Sequence, residues 1–119
     1  MILADTSVWA DHIHAPIPRF HALLLEFQIL THPFVIGEIA CGNLRDRSRV
    51  LGFFLQIPSA TVAEHSEALR LVEEQHLWGT GISWIDVHLL ASALLTGCLL
   101  WTADRRLQEA ARHMKVAYA

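Results

Sequence analysis

Four acidic residues stand where a carboxylate can do chemistry, because each lies beside a predicted strand end or a predicted helix start. Asp5 directly follows the apolar run MILA, and Asp104 follows the apolar run CLLW after two further residues. Asp86 and Glu38 fall in the first two turns of two predicted helices. Close carboxylates repel one another, so a fold that gathers them needs a reason. A hard divalent cation such as Mg²⁺, which takes oxygen ligands, is the usual one.

Each acid also has a simpler interpretation. Asp5 and Asp104 can cap the helices that follow them, and Asp86 stands three residues after Ser83, the spacing of a capping box. Glu38 can be a solvated helix residue, although the apolar Ile36 and Ile39 near it make a solvent-facing position less favourable. Taken singly, capping explains Asp86 and Asp104 better than catalysis does. Four acids on one predicted rim favour a shared site.

The elements that must position these acids alternate along the chain. Apolar runs at residues 1–4 and 98–101, with shorter extended runs at 28–33 and 115–118, predict strands. Helices are predicted at residues 19–27, 33–43, 47–55, 62–77 with Thr61 as cap, 83–97 and 102–114. Strands alternating with helices indicate parallel β-α units. We therefore predict an α/β fold, a three-layer α/β/α sandwich with a central parallel sheet, in which ligands bind beyond the carboxyl ends of the strands.

The composition of the chain limits its domain number, its relation to membranes and the state of its cysteines. The chain has 119 residues, typical of one domain, and its 18% charged residues compare with about 25% in an average domain. The longest apolar stretch, residues 89–101, is too short to span a membrane, and no basic segment precedes the apolar N-terminus. Two cysteines without a secretion signal are expected to stay reduced. These features predict a single domain over residues 1–119, in the cytoplasm and without a membrane anchor.

The net charge of −3 argues mildly against a nucleic-acid partner. If the four acids belong to a metal site, the remaining eight acids face nine lysines and arginines. Two groups of arginines are then candidates for phosphate contacts, with an ordinary solvated face as the equal alternative: Arg45, Arg47 and Arg49, and Arg105 and Arg106, which directly follow Asp104.

Four stretches together resemble PIN-domain ribonucleases, specifically the VapC-type toxins of bacterial and archaeal toxin–antitoxin pairs. They are ILADTSVWADH, PFVIGEIACG, GISWIDVHLLASALLTG and LLWTADRRL, in the order and over the length that the family shows. The resemblance implies a metal-binding quartet of Asp5, Glu38, Asp86 and Asp104, with Asp5 and Asp86 as the core ligands. It further implies that Thr102, with Thr6 or Ser7, hydrogen-bonds the acids or a metal-bound water.

The activity implied by the resemblance is metal-dependent cleavage of RNA phosphodiester bonds, with Mg²⁺ or Mn²⁺ as cofactor. It implies a single-stranded or looped RNA substrate, with transfer RNA as one candidate, a cognate antitoxin and a homodimer. In that setting, five apolar residues are candidates for a groove that receives the antitoxin, with ordinary core packing as the equal alternative: Phe20, Leu24, Phe27, Phe53 and Phe54.

Other functions remain open at this point. A haloacid-dehalogenase-type hydrolase needs a second Asp two residues after the first, where this chain has Ser7, and a response-regulator receiver fits Asp11 and Lys115 poorly. A PIN-fold interaction module without nuclease activity, or a metal-dependent phosphohydrolase of another class, is the alternative. The eight histidines show no metal-ligand spacing: His12 and His14, for example, do not share a helix face.

Overall fold

A three-stranded parallel sheet forms the centre of the computed structural model, which describes all residues from 1 to 119. Its strands are β1 (Ile2–Ala4), β2 (Ile29–Leu30) and β3 (Leu99–Trp101), in the order β2-β1-β3. Ile2 pairs with Ile29 on one side and with Leu99 on the other. Every residue of β1 is buried, as expected of a central strand covered on both faces.

Seven helices surround the sheet. They are α1 (Thr6–His14), α2 (Pro18–Leu25), α3 (Pro33–Ala40), α4 (Arg47–Phe54), α5 (His65–Glu74), α6 (Trp84–Thr96) and α7 (Arg105–His113). Helices α1, α3 and α4 pack together, whereas α5 packs on α6 and α6 on β3. The core is one cluster of 27 buried apolar residues, in which Trp9 makes edge contacts with Phe20 and Phe54. The predicted α/β/α sandwich is confirmed.

Helices α1 and α7 begin immediately beyond the carboxyl ends of β1 and β3. The backbone N–H of Asp5 donates to the carbonyl of Trp101 at 3.0 Å, which continues the β1–β3 ladder up to the first helical residue. Helix α6 begins at the predicted capping box and ends at Gly97, whose φ of +74° is a left-handed conformation suited to glycine. The predicted edge of the sheet therefore carries the starts of α1 and α7.

The structure differs from the sequence predictions at several element ends. Helix α5 begins at His65 rather than at 62, because Glu64 and Glu67 form the capping box, while the N–H of Thr61 donates to Thr96 Oγ1 instead. The predicted final strand at 115–118 is reduced to one bridge between Leu100 and Ala117, because α7 and the turn that follows it extend through Lys115.

None of the helices combines the length and the apolar character that a membrane crossing requires.

Candidate active site

Asp5 is the buried centre of the candidate site, with only 5% of its surface exposed. Its Oδ1 accepts hydrogen bonds from Ser7 Oγ at 2.5 Å and from the backbone N–H of Val8 at 3.1 Å, and its Oδ2 accepts one from Thr102 Oγ1. Burial raises the pKa of Asp5; the three hydrogen bonds oppose this rise, and the nearby charge of Asp86 adds to it. The net effect is a raised pKa, because the cost of burial exceeds what the three hydrogen bonds recover.

The two hydroxyl residues after Asp5 bind different parts of the rim. Thr6 Oγ1 donates to Glu38 Oε1 at 2.6 Å, which ties the start of α1 to α3. Ser7 Oγ donates to Asp5 and accepts from the N–H of Ala103 at 3.0 Å, which ties α1 to the turn after β3. A buried strand ending in Asp-Thr-Ser thus places one carboxylate and fixes two neighbouring segments around it.

Asp104 is the N-cap of α7. Its Oδ1 accepts from the N–H of Leu107 at 3.0 Å, and its own N–H donates to Thr102 Oγ1 at 2.9 Å. Thr102 therefore bridges Asp5 and Asp104: it donates to the first and accepts from the backbone of the second. The predicted role of Thr102 as a hydrogen-bonding partner of the acids is visible in this geometry.

Asp86 lies in the first turn of α6 as the third residue of its capping box. Its Oδ2 accepts from the N–H of Ser83 at 3.0 Å, and its N–H donates to Ser83 Oγ at 3.1 Å. Its carboxylate is close enough to raise the pKa of Asp5. The helix-cap interpretation and the shared-site interpretation of these acids are therefore compatible.

The starts of three helices, α1, α6 and α7, each carry one of these carboxylates, and each start bears a partial positive charge. Asp5 and Asp104 cap their helices and Asp86 lies in the first turn. The helix ends offset part of the repulsion among the acids. They also favour a negatively charged ligand such as a phosphate.

The donor set suits a hard divalent cation, with water completing its coordination. The hydrogen bonds of Glu38, Asp86 and Asp104 each occupy one carboxylate oxygen and leave the other for a ligand. No three acidic, histidine or cysteine side chains lie close enough to form a metal-binding group by themselves. Mg²⁺ commonly keeps several waters and takes only one or two protein carboxylates directly, so this spacing is compatible with a hydrated ion.

Comparison with known proteins decides the family. A family model described as PIN domain matches residues 2–113. The chain belongs to the PIN-domain family. It is 42% identical over 120 residues to the proteins named Ribonuclease VapC32 of two Mycobacterium tuberculosis strains, covering 100% of this chain and 97% of each relative. The VapC-type resemblance of its four motifs is confirmed.

A solved structure agrees with this PIN fold. The crystal structure of PAE2754 from Pyrobaculum aerophilum matches with a TM-score of 0.62, covering 92% of this chain and 78% of that chain. At 19% sequence identity, this likeness supports the fold alone.

Two buried histidines of this PIN domain lie on the elements that carry Glu38 and Asp86. His32 is fully buried and caps α3, since its Nδ1 accepts from the N–H of Phe34 at 3.0 Å. Burial lowers the pKa of His32 to about 4, helped by the nearby His88, and burial likewise lowers the pKa of His88. Sequence reasoning missed the cap, because histidine is not among the usual N-cap residues.

Some arginines of the PIN domain make hydrogen bonds within the fold, and others lie where they could contact a ligand. Arg47 donates to the carbonyls of Ala40 at 2.5 Å and Gly42 at 3.4 Å, so it closes the C-terminal end of α3. Arg45 lines a groove with Thr6 and Glu38. Of the arginines predicted for phosphate contact, Arg45 thus shares a groove with Glu38, and Arg47 is hydrogen-bonded within the fold.

Proposed function

We propose that this chain is the toxin of a toxin–antitoxin pair, an endoribonuclease that hydrolyses RNA with Mg²⁺ or Mn²⁺ held by Asp5, Glu38, Asp86 and Asp104. The observation that carries the proposal is the hydrogen-bonded rim around Asp5. Thr6, Ser7 and Thr102 connect that buried carboxylate, directly or through the backbone, to the segments bearing Glu38 and Asp104. Family membership supports the same chemistry, since the relatives are named ribonucleases.

Within this site, Asp5 and Asp86 are the proposed core ligands, and Glu38 and Asp104 offer their free oxygens beside them. Thr102 is a positioning residue whose hydrogen bond orients the Asp5 carboxylate and favours its ionised form. When bound, a divalent cation would lower the pKa of a water and stabilise charge on the phosphate and the leaving oxygen. The chain's own contribution is to hold the acids and to offer helix N-termini to the phosphate.

We propose single-stranded or looped RNA as substrate, with transfer RNA as one candidate, because such RNA exposes its bases and leaves its phosphates accessible. Arg45, which lines a groove with Glu38, and the exposed Arg105 and Arg106, which follow Asp104 in the chain, are the proposed contacts to flanking phosphates. We place the activity in the cytoplasm, in keeping with the two unpaired cysteines, Cys41 and Cys98. We also propose that residues 1–119 act as one domain, in keeping with the single core cluster.

The proposed antitoxin surface is smaller than the sequence predicted. Phe20 and Phe54 are fully buried against Trp9, so they belong to the core and not to a groove. Leu24, Phe27 and Phe53 do line a common cavity of about 390 Å³. We propose that this cavity receives an apolar segment of the cognate antitoxin, and that the chain forms a homodimer.

The alternative is a PIN-fold interaction module without nuclease activity, or a phosphohydrolase of another class. The spacing of the carboxylates, with no three close enough to form a ready-made metal group, is the observation that favours the first of these. Only an activity measurement separates it from the nuclease.

The deciding experiment incubates matched RNA and DNA hairpins with the purified chain, with Mn²⁺ and with EDTA. We expect RNA to be cleaved with Mn²⁺ only, and Asp5→Asn to reduce cleavage to background. Asp11→Asn, which removes an exposed acid of α1 outside the site, is the matched control and should cleave normally. Cleavage that persists in Asp5→Asn or in EDTA would contradict the proposed site, and equal cleavage of DNA would contradict RNA specificity.

A further inference from the structure

An aromatic groove lies beside Glu38, between α3 and α6, with a volume of about 610 Å³. It is lined by Pro33, Phe34, Gly37, Glu38, Cys41, Trp84 and Ile85. Glu38 is the one charged residue in this lining. The groove therefore offers apolar and aromatic surface directly beside one of the proposed metal ligands.

The aromatic side chains of the groove are exposed and yet held in place. Trp84, the first residue of α6, is 38% exposed, and Phe34 is 37% exposed. The Trp84 ring lies edge-on to His88 at a centroid distance of 4.7 Å and to His65 at 5.2 Å. Phe34 contacts His88 in the same way at 4.9 Å. The buried His88 ring thus orients both aromatic residues and leaves part of each open to a ligand.

The floor of the groove is open at Gly37, where an added Cβ would have no atom within 4 Å. Glu38 also lines a second groove of about 680 Å³, which contains Thr6, Asn43 and Arg45. A ligand that spans the two grooves therefore crosses Glu38, with a basic residue on one side and aromatic rings on the other.

We propose that the Phe34–Trp84 groove binds one unpaired base of the RNA, next to the phosphodiester that is cut. The proposal rests on the proposed ribonuclease function. A groove with aromatic rings and no basic residue suits a flat, uncharged ring rather than a phosphate, and stacking on aromatic side chains is how proteins bind unpaired bases. A phosphate at the acids and Arg45 places the adjoining base at the aromatic side of Glu38.

The first test measures binding of a short single-stranded RNA in EDTA, where metal-dependent cleavage does not occur. We expect Trp84→Leu to weaken binding by about 5- to 150-fold, the range for loss of one stacked base, and Trp84→Phe to restore most of it. Trp78→Leu is the matched control, since Trp78 is 58% exposed and lies outside the groove. Its affinity should equal that of the wild type.

A set of RNAs, each lacking one base at a single abasic position, distinguishes the loss of base stacking from a change in the fold of the variant. The wild type should bind one of these abasic RNAs more weakly than the intact RNA. Trp84→Leu should bind that abasic RNA and the intact RNA with equal affinity. Gly37→Leu, which places a side chain in the open part of the groove, should reproduce this loss with a melting temperature no lower than that of the wild type. Equal abasic sensitivity in wild type and Trp84→Leu would overturn the base-binding proposal.

The rate at which Cys41 is alkylated reports whether the groove is occupied, and this measurement does not depend on nuclease activity. Cys41 lines the groove and is exposed, whereas Cys98 is buried, so alkylation by N-ethylmaleimide should follow Cys41 alone. We expect the intact RNA to slow this alkylation and the abasic RNA to slow it less. Protection by an apolar peptide but not by RNA would overturn the proposal. A wild type that binds RNA as described but cleaves none with Mn²⁺ would contradict the nuclease function and support the base site.

Discussion

Thr102 shows how one hydroxyl can serve both the fold and the site. It donates to the buried Asp5 carboxylate and accepts from the backbone of Asp104, so it connects the ends of β1 and β3 through side-chain contacts. Its bond to Asp5 is one of the interactions that lower the pKa of that carboxylate against the effect of burial. Removing the hydroxyl therefore affects both stability and the charge state of the site.

Thr102→Val keeps the shape of the side chain and leaves both partners without their hydrogen bond. We expect the free energy of unfolding to fall by about 1–3 kcal/mol, the cost of unsatisfied buried polar groups, and RNA cleavage to fall with it. Thr102→Ser retains the hydroxyl and should restore both. Urea unfolding and initial cleavage rates measure the two effects, and a fully active, equally stable Thr102→Val would contradict the role of this residue.

His32 makes the folded chain sensitive to acid. In the folded state its pKa is about 4, while an unfolded histidine titrates near 6.5. Between these values the unfolded chain binds a proton that the folded chain excludes, so stability falls as the pH drops from 6.5 towards 4. The residue facing it is the buried His88, whose pKa is lowered as well and which acts in the same direction.

His32→Asn places an amide oxygen near the Nδ1 position and so keeps the cap of α3, but it does not titrate. We expect the loss of unfolding free energy between pH 7 and pH 5 to shrink by roughly 1–2 kcal/mol in this variant. Urea unfolding at the two pH values gives the comparison, with His113→Asn, on the exposed face of α7, as control. An unchanged pH dependence in His32→Asn would rule out His32 as its source.

The candidate residues were predictable from the sequence because each lies at a signal that the sequence carries. Asp5 and Asp104 follow apolar strands, and Asp86 follows Ser83 at capping-box spacing. The division of labour between Thr6 and Ser7 was not predictable, because it depends on contacts with Glu38 and Ala103, 32 and 96 residues away along the chain. The burial of His32 depends on the same kind of long-range packing.

At the scale of elements, the start of α6 determines where both Asp86 and Trp84 lie. Ser83 and Asp86 satisfy each other's backbone N–H groups, so the first turn of the helix is closed. This box was predictable because Ser followed three residues later by an acid is a local pattern. The start of α5 was not, since Glu64 caps it and Glu is not a typical cap residue.

Ser83→Ala removes the hydroxyl that accepts from the N–H of Asp86. We expect a loss of about 1 kcal/mol in unfolding free energy, the usual cost of deleting an N-cap. We also expect weaker Mn²⁺ binding, since the turn that holds Asp86 is then free to fray. Calorimetry of unfolding and of Mn²⁺ binding measures both, and Ser83→Thr, which keeps the hydroxyl, should match the wild type. Unchanged Mn²⁺ affinity in Ser83→Ala would separate the cap from the site.

At the scale of the whole molecule, Phe27 stands out because a bulky residue occupies a left-handed backbone conformation with an exposed ring. Its φ is +56° and its side chain is 80% exposed. Such a position at the end of a helix favours glycine, so the free chain gains nothing visible from the phenyl ring. The ring lines the cavity proposed for the antitoxin, so antitoxin binding would explain why phenylalanine rather than glycine occupies this position.

Phe27→Gly should therefore stabilise the free chain by up to about 1 kcal/mol while weakening its binding to the cognate antitoxin. Lys115→Gly is the matched control, because Lys115 has a similar φ of +61° and lies outside that cavity. It should give the same kind of stabilisation and leave antitoxin binding unchanged. Thermal melting and titration calorimetry measure the pair, and equal antitoxin affinity in Phe27→Gly and wild type would remove Phe27 from the partner surface.

The central claim, that Asp5 anchors a divalent-metal site, is tested most directly by melting wild type and Asp5→Asn with EDTA and with Mn²⁺. Because burial and the charge of Asp86 disfavour the ionised Asp5, the variant should melt higher than wild type in EDTA. Mn²⁺ at a hundred times its dissociation constant should stabilise the wild type by about 2.7 kcal/mol and the variant not at all. An Asp5→Asn protein that is no more stable in EDTA and responds to Mn²⁺ as fully as the wild type would make Asp5 a helix cap only and contradict the metal site.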